Sequence, residues 1–373
     1  PDMASMIHNE MRKHGIKLVL GYTVEGFKEK DNGVEVLLKD NPSLQADMVV
    51  LAIGVTPDTV LAKEAGLELG IKESIVVNDR METSVPDIYA AGDAVQVKHY
   101  VTGNDALISL AGPANKQGRI IADNICGGDS RYLGSQGSSV IKVFDMTAAT
   151  TGINETNAKK SGLEVDTVIL SPMSHAGYYP GGKVMTMKVV FEKETYRLLG
   201  AQIIGYEGVD KRIDVLATAI HAGLNATQLK DLDLAYAPPY SSAKDPVNMA
   251  GFMIDNIAKG TLKQWHLEDM DKISKDKDVV LLDVRTVGEF SRGHIDGFKN
   301  IPVDELRERI SEIEKGKPVY LICQSGLRSY IASRILEGNG YETYNFSGGF
   351  RFYDAVVNDR ALIERAYACG MDY

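Results

Sequence analysis

The sequence predicts a multidomain chain that mixes α/β with α+β architecture, and three observations predict it. A length of 373 residues exceeds what one ordinary core covers. Strand-like apolar runs that end at a glycine or a polar loop occur towards both ends, at Met48–Ile53 and Val319–Ile322, the second followed by helical spacing at 331, 332, 335 and 336. Between them, beyond the Gly/Ser-rich stretch 128–137, short strand and helix patterns follow one another without a repeat. A net charge of −10 argues against nucleic acid as a main partner. No run approaches the length of a membrane span, and PDMASMIHNEM does not read as a signal peptide. Cys126, Cys323 and Cys369 form no disulfide framework, and with seven scattered histidines they offer no metal spacing. The expectation is a reduced, cytoplasmic protein with no metal and no membrane partner.

In chain order, Met3 to His14 reads as a helix with Met3, Met6, Ile7 and Met11 on one side, ended by Gly15. Lys17 to Leu20 and Val34 to Leu38 read as strands, and Met48 to Ile53 as a buried strand. This is the back half of a Rossmann-like nucleotide-binding unit. A Gly-x-Gly-x-x-Gly turn occurs nowhere in the chain, so the expectation is the C-terminal portion of a longer protein.

Thr83 to Asp93, TSVPDIYAAGD, predicts a proline turn and a short strand, Ile88 to Ala91, ending at Gly92-Asp93. Asp93 can accept a hydrogen bond from a sugar or ribityl hydroxyl, while Gly92 lets a ligand approach the backbone. A Gly-Asp pair alone is usually a turn. Leu110 to Arg119, LAGPANKQGR, then opens a helix through Ile125, with Pro113 near its start. In this context the stretch resembles the second flavin motif of the FAD-dependent pyridine nucleotide–disulfide oxidoreductases. The resemblance implies FAD contacts at Thr83, Gly92, Asp93, Ala111 and Ala114, with the helix N-terminus facing the flavin ring. The bland alternative is a capped helix packed on a sheet.

From Ser138 to about Ile257 an α+β domain is expected, with strands at 140–144, 168–170, 184–191 and 199–204 and helices at 154–161 and 210–222. Two tyrosine-rich loops stand out, His175-Ala176-Gly177-Tyr178-Tyr179-Pro180-Gly181 and Tyr236 to Pro246, YAPPYSSAKDP, the second stiffened by two prolines. They could be surface packing. The YAPPYSxxKDP pattern, however, resembles the coenzyme A–disulfide reductase branch of the family. That implies a homodimer in which Tyr236 approaches the partner's flavin, Lys244 lies by the coenzyme A phosphates, Tyr178 joins Tyr236 near the thiol chemistry, and Asn115 or Lys116 faces coenzyme A.

Gly260 to His266 reads as a linker holding the only tryptophan, Trp265. In KPVYLICQSGLRSYIASRIL, Cys323 ends a strand and its loop wraps a helix N-terminus, where backbone N–H groups and the helix dipole favour negative charge. Cys323 is therefore a candidate nucleophile, and Arg328 can hold an anionic substrate or leaving group. A buried structural cysteine is the plain alternative. The Cys-x4-Arg loop is narrow for a phosphate and suits a terminal sulfur. Together with DVRxxxEFxxGHIxGxxNIP from Asp283 to Pro302, it resembles the rhodanese (sulfurtransferase) domain over about 267–365. There Asp283, Arg285 and His294 are expected to tie strands and loops, and Pro302 to Ile313 to form an amphipathic helix.

The expected domains are a remnant of an NAD(P)-binding domain (1–54), the C-terminal part of an FAD-binding domain (55–127), a dimerisation domain (138–258), a linker (259–266) and a rhodanese α/β domain (267–373). This order resembles the fused coenzyme A–disulfide reductase/rhodanese enzymes, including the NAD(P)H-dependent persulfide or polysulfide reductases. The implied cofactors are FAD, NAD(P)H and coenzyme A, with disulfides, persulfides or polysulfides reduced and Cys323 carrying sulfur. The family's FAD fingerprint and flavin-proximal cysteine have no counterpart here, and Cys126 follows Gly92-Asp93 rather than preceding it. The chain alone is not expected to be reductase-active. Two other readings stay open: a sulfurtransferase or sulfur carrier on a dimeric scaffold, and a non-catalytic flavin-fold remnant that forms no persulfide at Cys323.

Overall fold

A computed structural model describes residues 2–368. Cys369 and the end of the expected rhodanese domain lie outside the described residues. The chain divides into two compact units, one of Pro1–Leu18 with Ser139–Leu362, the other chiefly Val19–Ser138.

The first unit holds two sheets. One is antiparallel, in the order Ser139–Val143, Met146–Gly152, Leu198–Gly205, Met185–Glu192, Val165–Leu170. The central strands Met185–Glu192 and Leu198–Gly205 are almost wholly buried. Helix Val209–His221 covers the sheet with Ile213, Leu216 and Ile220, the stripe its periodicity predicts. Strand Met146–Gly152 and helix Pro246–Ala258 were not read from the sequence. The helix starts inside the expected rigid loop because Asp245 caps it, accepting from the Val247 N–H at 3.0 Å, with Pro246 at its first position.

The second sheet of this unit is parallel, ordered Gln264–Trp265, Thr343–Phe346, Val319–Ile322, Val280–Asp283, Lys299–Asn300. Helices Val287–Arg292, Leu327–Glu337 and Gly349–Ala368 accompany it. The expected linker thus ends as the sheet's edge strand. Trp265 is buried, its ring 4.5 Å from Phe346, so its apolar area is part of the core. The helix expected over Pro302–Ile313 is instead a run of turns ending in the 3-10 segment Ile310–Glu312. Its N–H groups reach mostly the third carbonyl back, as in Glu305 to Pro302 at 2.9 Å, while Leu306 is locked into the core.

Residues 2–18 pack with this unit. Helix Ala4–Lys13 turns Met3, Met6 and Ile7 onto Ile169 and Ile204 of the antiparallel sheet and Phe352 and Val356 of the last helix. The two sheets are pinned to each other by polar contacts as well. Asp166 accepts from Gln264 at 3.1 Å and meets His266 Nε2 at 2.9 Å, and the Ile169 N–H donates to Ser347 Oγ at 3.1 Å.

In the second unit, strands Val24–Lys30, Gly33–Leu38 and Asn41–Ala46 form an antiparallel sheet, and Ile75–Val76, Val95–Lys98 and Asp105–Ala106 a second. Helix Ala111–Ile125 lies in this unit with a core of Met81, Val95 and Val97. Three expected strands are absent. Lys17–Leu20 and Met48–Ile53 have no strand beside them among the described residues, and Met48, Val50, Leu51 and Ile53 are exposed. Apolar composition alone does not make a strand where no neighbour takes its backbone hydrogen bonds. Ile88–Ala91 makes a single bridge, Tyr89 with Glu82, because the preceding turn closes tightly through Thr83 N–H to Ile88 O at 2.9 Å.

The Asp166–His266 contact generates a pH prediction. Burial lowers the His266 pKa, but the bond and charge of Asp166 outweigh it, so it is raised; for Asp166, burial is outweighed by His266 and the carboxyl is lowered. The histidine contribution is present below about 6.5 and lost as pH rises through its raised value; the aspartate contribution is present above about 4 and lost as pH falls through its lowered value. Calorimetry of the native chain against Asp166→Asn should give the largest difference in melting temperature at about pH 4–6.5, shrinking above that range. A difference independent of pH would contradict this.

Candidate active site

Cys323 follows strand Val319–Ile322 and is only 1% exposed. Two donors point at its sulfur: the Gly326 N–H at 3.1 Å and the Ser329 hydroxyl at 3.2 Å. Both stabilise negative charge on sulfur. Gly326 has φ +99°, a conformation L side chains rarely adopt, and it opens helix Leu327–Glu337. A second turn braces the loop from outside. Phe350 N–H donates to Cys323 O at 2.8 Å and Arg351 N–H to Gln324 O at 3.2 Å. At Gly349 a Cβ would stand 2.6 Å from Ser325 N, so only glycine fits.

Arg328 does not stand free to hold an anion. Its two terminal nitrogens each donate to a different Glu289 oxygen at 2.7 Å, tying helix Leu327–Glu337 to helix Val287–Arg292. This bidentate bond is the main reason the Glu289 carboxyl falls to about 2, and the Thr286 cap adds to it. Thr286-x-x-Glu289 is a capping box, a sequence signal that could have located the glutamate. Asp283 and Arg285 form a buried bidentate pair, and Arg285 also donates to Gly293 O at 2.8 Å and stacks on Phe350 at 3.8 Å. They brace the fold, as expected. His294 does not reach across the domain: it is exposed, bonds the Phe290 carbonyl at 3.1 Å and stacks on that ring.

The same unit brings the two tyrosine loops together. Tyr178 and Tyr236 lie 58 residues apart, yet their phenol oxygens are 2.8 Å from each other. The hydrogen bond with Tyr178 raises the Tyr236 pKa. Tyr236, Tyr240, His175, Glu207, Lys211 and Arg212 line a cleft of about 530 Å³. Lys244 is exposed just before the Asp245 cap. Arg212, Ser241 and Asp245 form a buried network under the loops; Ser241 and Asp245 belong to the proline-stiffened loop, and the arginine that joins them from helix Val209–His221 carries no sequence signal.

In the second unit Gly92 has φ +84° and its N–H donates to the buried Gln117 Oε1 at 2.7 Å. The Ala114 Cβ lies 3.9 Å from where a Gly92 Cβ would stand. Asp93 is exposed and meets no donor among the described residues. Helix Ala111–Ile125 has no side-chain cap at its N-terminus, and Asn115 and Lys116 are exposed on its first turns. A small-residue surface, an open carboxylate and uncapped N–H groups fit one side of a hydroxyl- and phosphate-bearing cofactor. Thr83 instead closes its own turn, donating to Ile88 O at 2.9 Å. Among the described residues there is no His/Cys/Asp/Glu group suited to a metal, and no helix is long and apolar enough to cross a membrane.

The Arg328–Glu289 pair is partly shielded, and about 1–2 kcal/mol of coupling is expected, between exposed and fully buried pairs. A double-mutant cycle of Arg328→Ala and Glu289→Ala by urea unfolding at pH 7 should show it. The coupling should persist below pH 4, since a lowered carboxyl loses its contribution only as pH falls through about 2. Additive single mutants would contradict the pairing.

Three family models match the chain: "Pyridine nucleotide-disulphide oxidoreductase" at residues 1–118, its dimerisation domain at 138–246, and "Rhodanese-like domain" at 266–355. A curated relative, the NAD(P)H sulfur oxidoreductase (CoA-dependent) of Pyrococcus abyssi, is 36% identical over 246 residues, 66% of this chain and 54% of that protein. Among solved structures, reduced Bacillus anthracis CoADR-RHD superposes with a TM-score of 0.93 at 46% identity, covering 96% of this chain and 64% of that one. A NAD-dependent persulfide reductase from A. fulgidus gives 0.86 at 40% identity, covering 94% and 64%. The chain spans about half the length of the curated relatives it matches. With both oxidoreductase models and the rhodanese model in this order, the chain belongs to the pyridine nucleotide–disulphide oxidoreductases that carry a rhodanese-like domain behind the dimerisation domain.

Proposed function

We propose that this chain supplies the sulfur-handling part of a flavin-dependent NAD(P)H oxidoreductase that reduces coenzyme A disulfide, persulfides or polysulfides as a homodimer in the cytoplasm. The observation that carries the reading is the Tyr178–Tyr236 phenol pair, whose Tyr236 lines the cleft. One O–H is used inside the pair and the other stays free to donate to a leaving thiolate. Lys211 and Lys244 offer positive charge to a phosphate-bearing substrate.

FAD, if held along Gly92, Asp93, Ala111 and Ala114 with Thr83 shaping the turn and Tyr236 facing a partner's flavin, supplies the hydride-derived electrons. Cys323 handles the sulfur. Its thiolate attacks the outer sulfur of a persulfide or polysulfide, the S–S bond breaks, the donor leaves as a thiolate, and a Cys323 persulfide forms without net oxidation. Gly326 N–H and Ser329 O–H receive the charge, and the Arg328–Glu289 pair holds the loop that presents it. Completing the cycle takes two electrons and two protons per persulfide and yields one thiol and one sulfide.

A stand-alone sulfurtransferase remains the second reading, favoured by the thiol loop being built wholly within this chain.

In the flavin-loaded enzyme containing this chain, Tyr236→Phe and Tyr178→Phe should each lower turnover with a disulfide or persulfide by about 10²-fold, the low end of general-acid effects. Stopped-flow kinetics reads this; turnover within twofold of the unsubstituted enzyme would sink the proton-donor role. Cys323→Ser should abolish the one-sulfur mass gain seen after polysulfide treatment. A persulfide that persists, mapped to another cysteine, would overturn Cys323 as carrier.

A further inference from the structure

The two phenols sit on exposed loops, yet both loops are anchored to one buried side chain. Arg212, on helix Val209–His221, is 1% exposed. Its Nη2 lies 2.9 Å from the Ser174 carbonyl, four residues before Tyr178, and 3.3 Å from the Tyr240 carbonyl, four residues after Tyr236. The same nitrogen reaches Ser241 Oγ at 3.2 Å and Asp245 Oδ2 at 3.0 Å, while Nε reaches Asp245 Oδ2 at 3.2 Å. Ser241 donates to Asp245 Oδ2 at 2.7 Å, and its carbonyl accepts the Ala176 N–H at 3.1 Å, which joins the two loops directly. Nη1 donates to Gly208 O at 3.1 Å, and a Cβ at Gly208 would stand 2.0 Å from it. The backbone before the helix therefore leaves room for this guanidinium and little else.

We propose that Arg212 is a positioning residue for the Tyr178–Tyr236 pair, fixing the two backbone carbonyls from which the tyrosine loops hang. A planar, permanently charged fork binds the carbonyls of two loops and a carboxylate in fixed directions and still reaches the Gly208 carbonyl, whereas an ammonium has three donors and fixes no plane. The buried charge enforces the geometry, because displacing the Ser174 and Tyr240 carbonyls or Asp245 weakens the pairing of a cation that has no water to turn to. Arg212 acts through the loops and donates nothing to substrate. The inference rests on the reading of the phenol pair as proton donor, but its geometry can be tested apart from turnover.

The experiment is NMR of the chain labelled with tyrosine bearing 13C at the hydroxyl carbon. Tyr178→Phe and Tyr236→Phe assign the two signals. Of the other ionisable groups of the cleft, His175, Glu207 and Lys211 carry no label, and the signal of the labelled Tyr240 is assigned with Tyr240→Phe so that the phenol pair is read apart from it. In the unsubstituted chain Tyr236 should titrate above an ordinary tyrosine. In Arg212→Met, with circular dichroism and melting showing a folded chain, Tyr236 should return to its titration in Tyr178→Phe, and Arg212→Lys should fall between. A folded Arg212→Met with unchanged Tyr236 titration overturns the proposal. If Arg212→Met does not fold, Ser241→Ala decides: it removes one bond of the clamp without uncovering a charge, and should move Tyr236 the same way by a smaller amount, while no movement overturns the proposal. If Tyr236→Phe keeps full turnover yet Arg212→Met collapses the phenol titration, the proton-donor reading falls and the positioning role stands.

Discussion

The buried pair of Arg212 and Asp245 is the constraint on which the tyrosine cleft depends. A guanidinium and a carboxylate taken out of water cost several kcal/mol each unless every donor and lone pair is met. Here they are met by carbonyls and a hydroxyl from the very loops that carry Tyr178, Tyr236 and Tyr240. Asp245 serves twice, since its other oxygen caps helix Pro246–Ala258. The loops look open at their tips and are rigid at their roots. That combination suits a site where a proton must be delivered to a fixed point while a long substrate enters and leaves.

The thiol loop is built on the same principle with different residues. Asp283 and Arg285 lock the strand ends, Glu289 and Arg328 lock the helix that follows Cys323, and the Gly348-Gly349 turn presses on the loop where no side chain would fit. Charged side chains are matched so that donors aimed at sulfur come from backbone N–H and a hydroxyl. Ser347, the first residue of that turn, also accepts from Ile169 on the edge of the antiparallel sheet. The geometry of the sulfur loop therefore depends on the docking of one sheet to the other, which Asp166, Gln264 and His266 secure.

Much of this was legible in the sequence. The Cys-x4-Arg loop, the tyrosine loops and the Gly-Asp turn announced themselves because each needs particular residues at fixed short spacing. The meeting of Tyr178 with Tyr236 followed from a resemblance rather than from spacing. What escaped was long-range or context-bound. Arg212 reads as an ordinary helix residue until the fold brings two loops over it. Arg328 read as an anion holder because its partner lies 39 residues away. Met48–Ile53 has the composition of a buried strand and lies exposed, since pairing partners, not hydrophobicity, define a strand. Pro302–Ile313 has a helical period but closes as turns around Leu306.

The most direct measurement follows one labelled sulfur. The flavin-loaded enzyme containing this chain would be treated with a coenzyme A persulfide carrying 34S at its outer atom, then with NAD(P)H, and sampled by mass spectrometry of the Cys323 peptide and of released sulfide. The account predicts that 34S appears on Cys323 first and leaves as labelled sulfide once NAD(P)H is added. Label that never reaches Cys323, or that stays there unchanged through many turnovers of NAD(P)H, would contradict it.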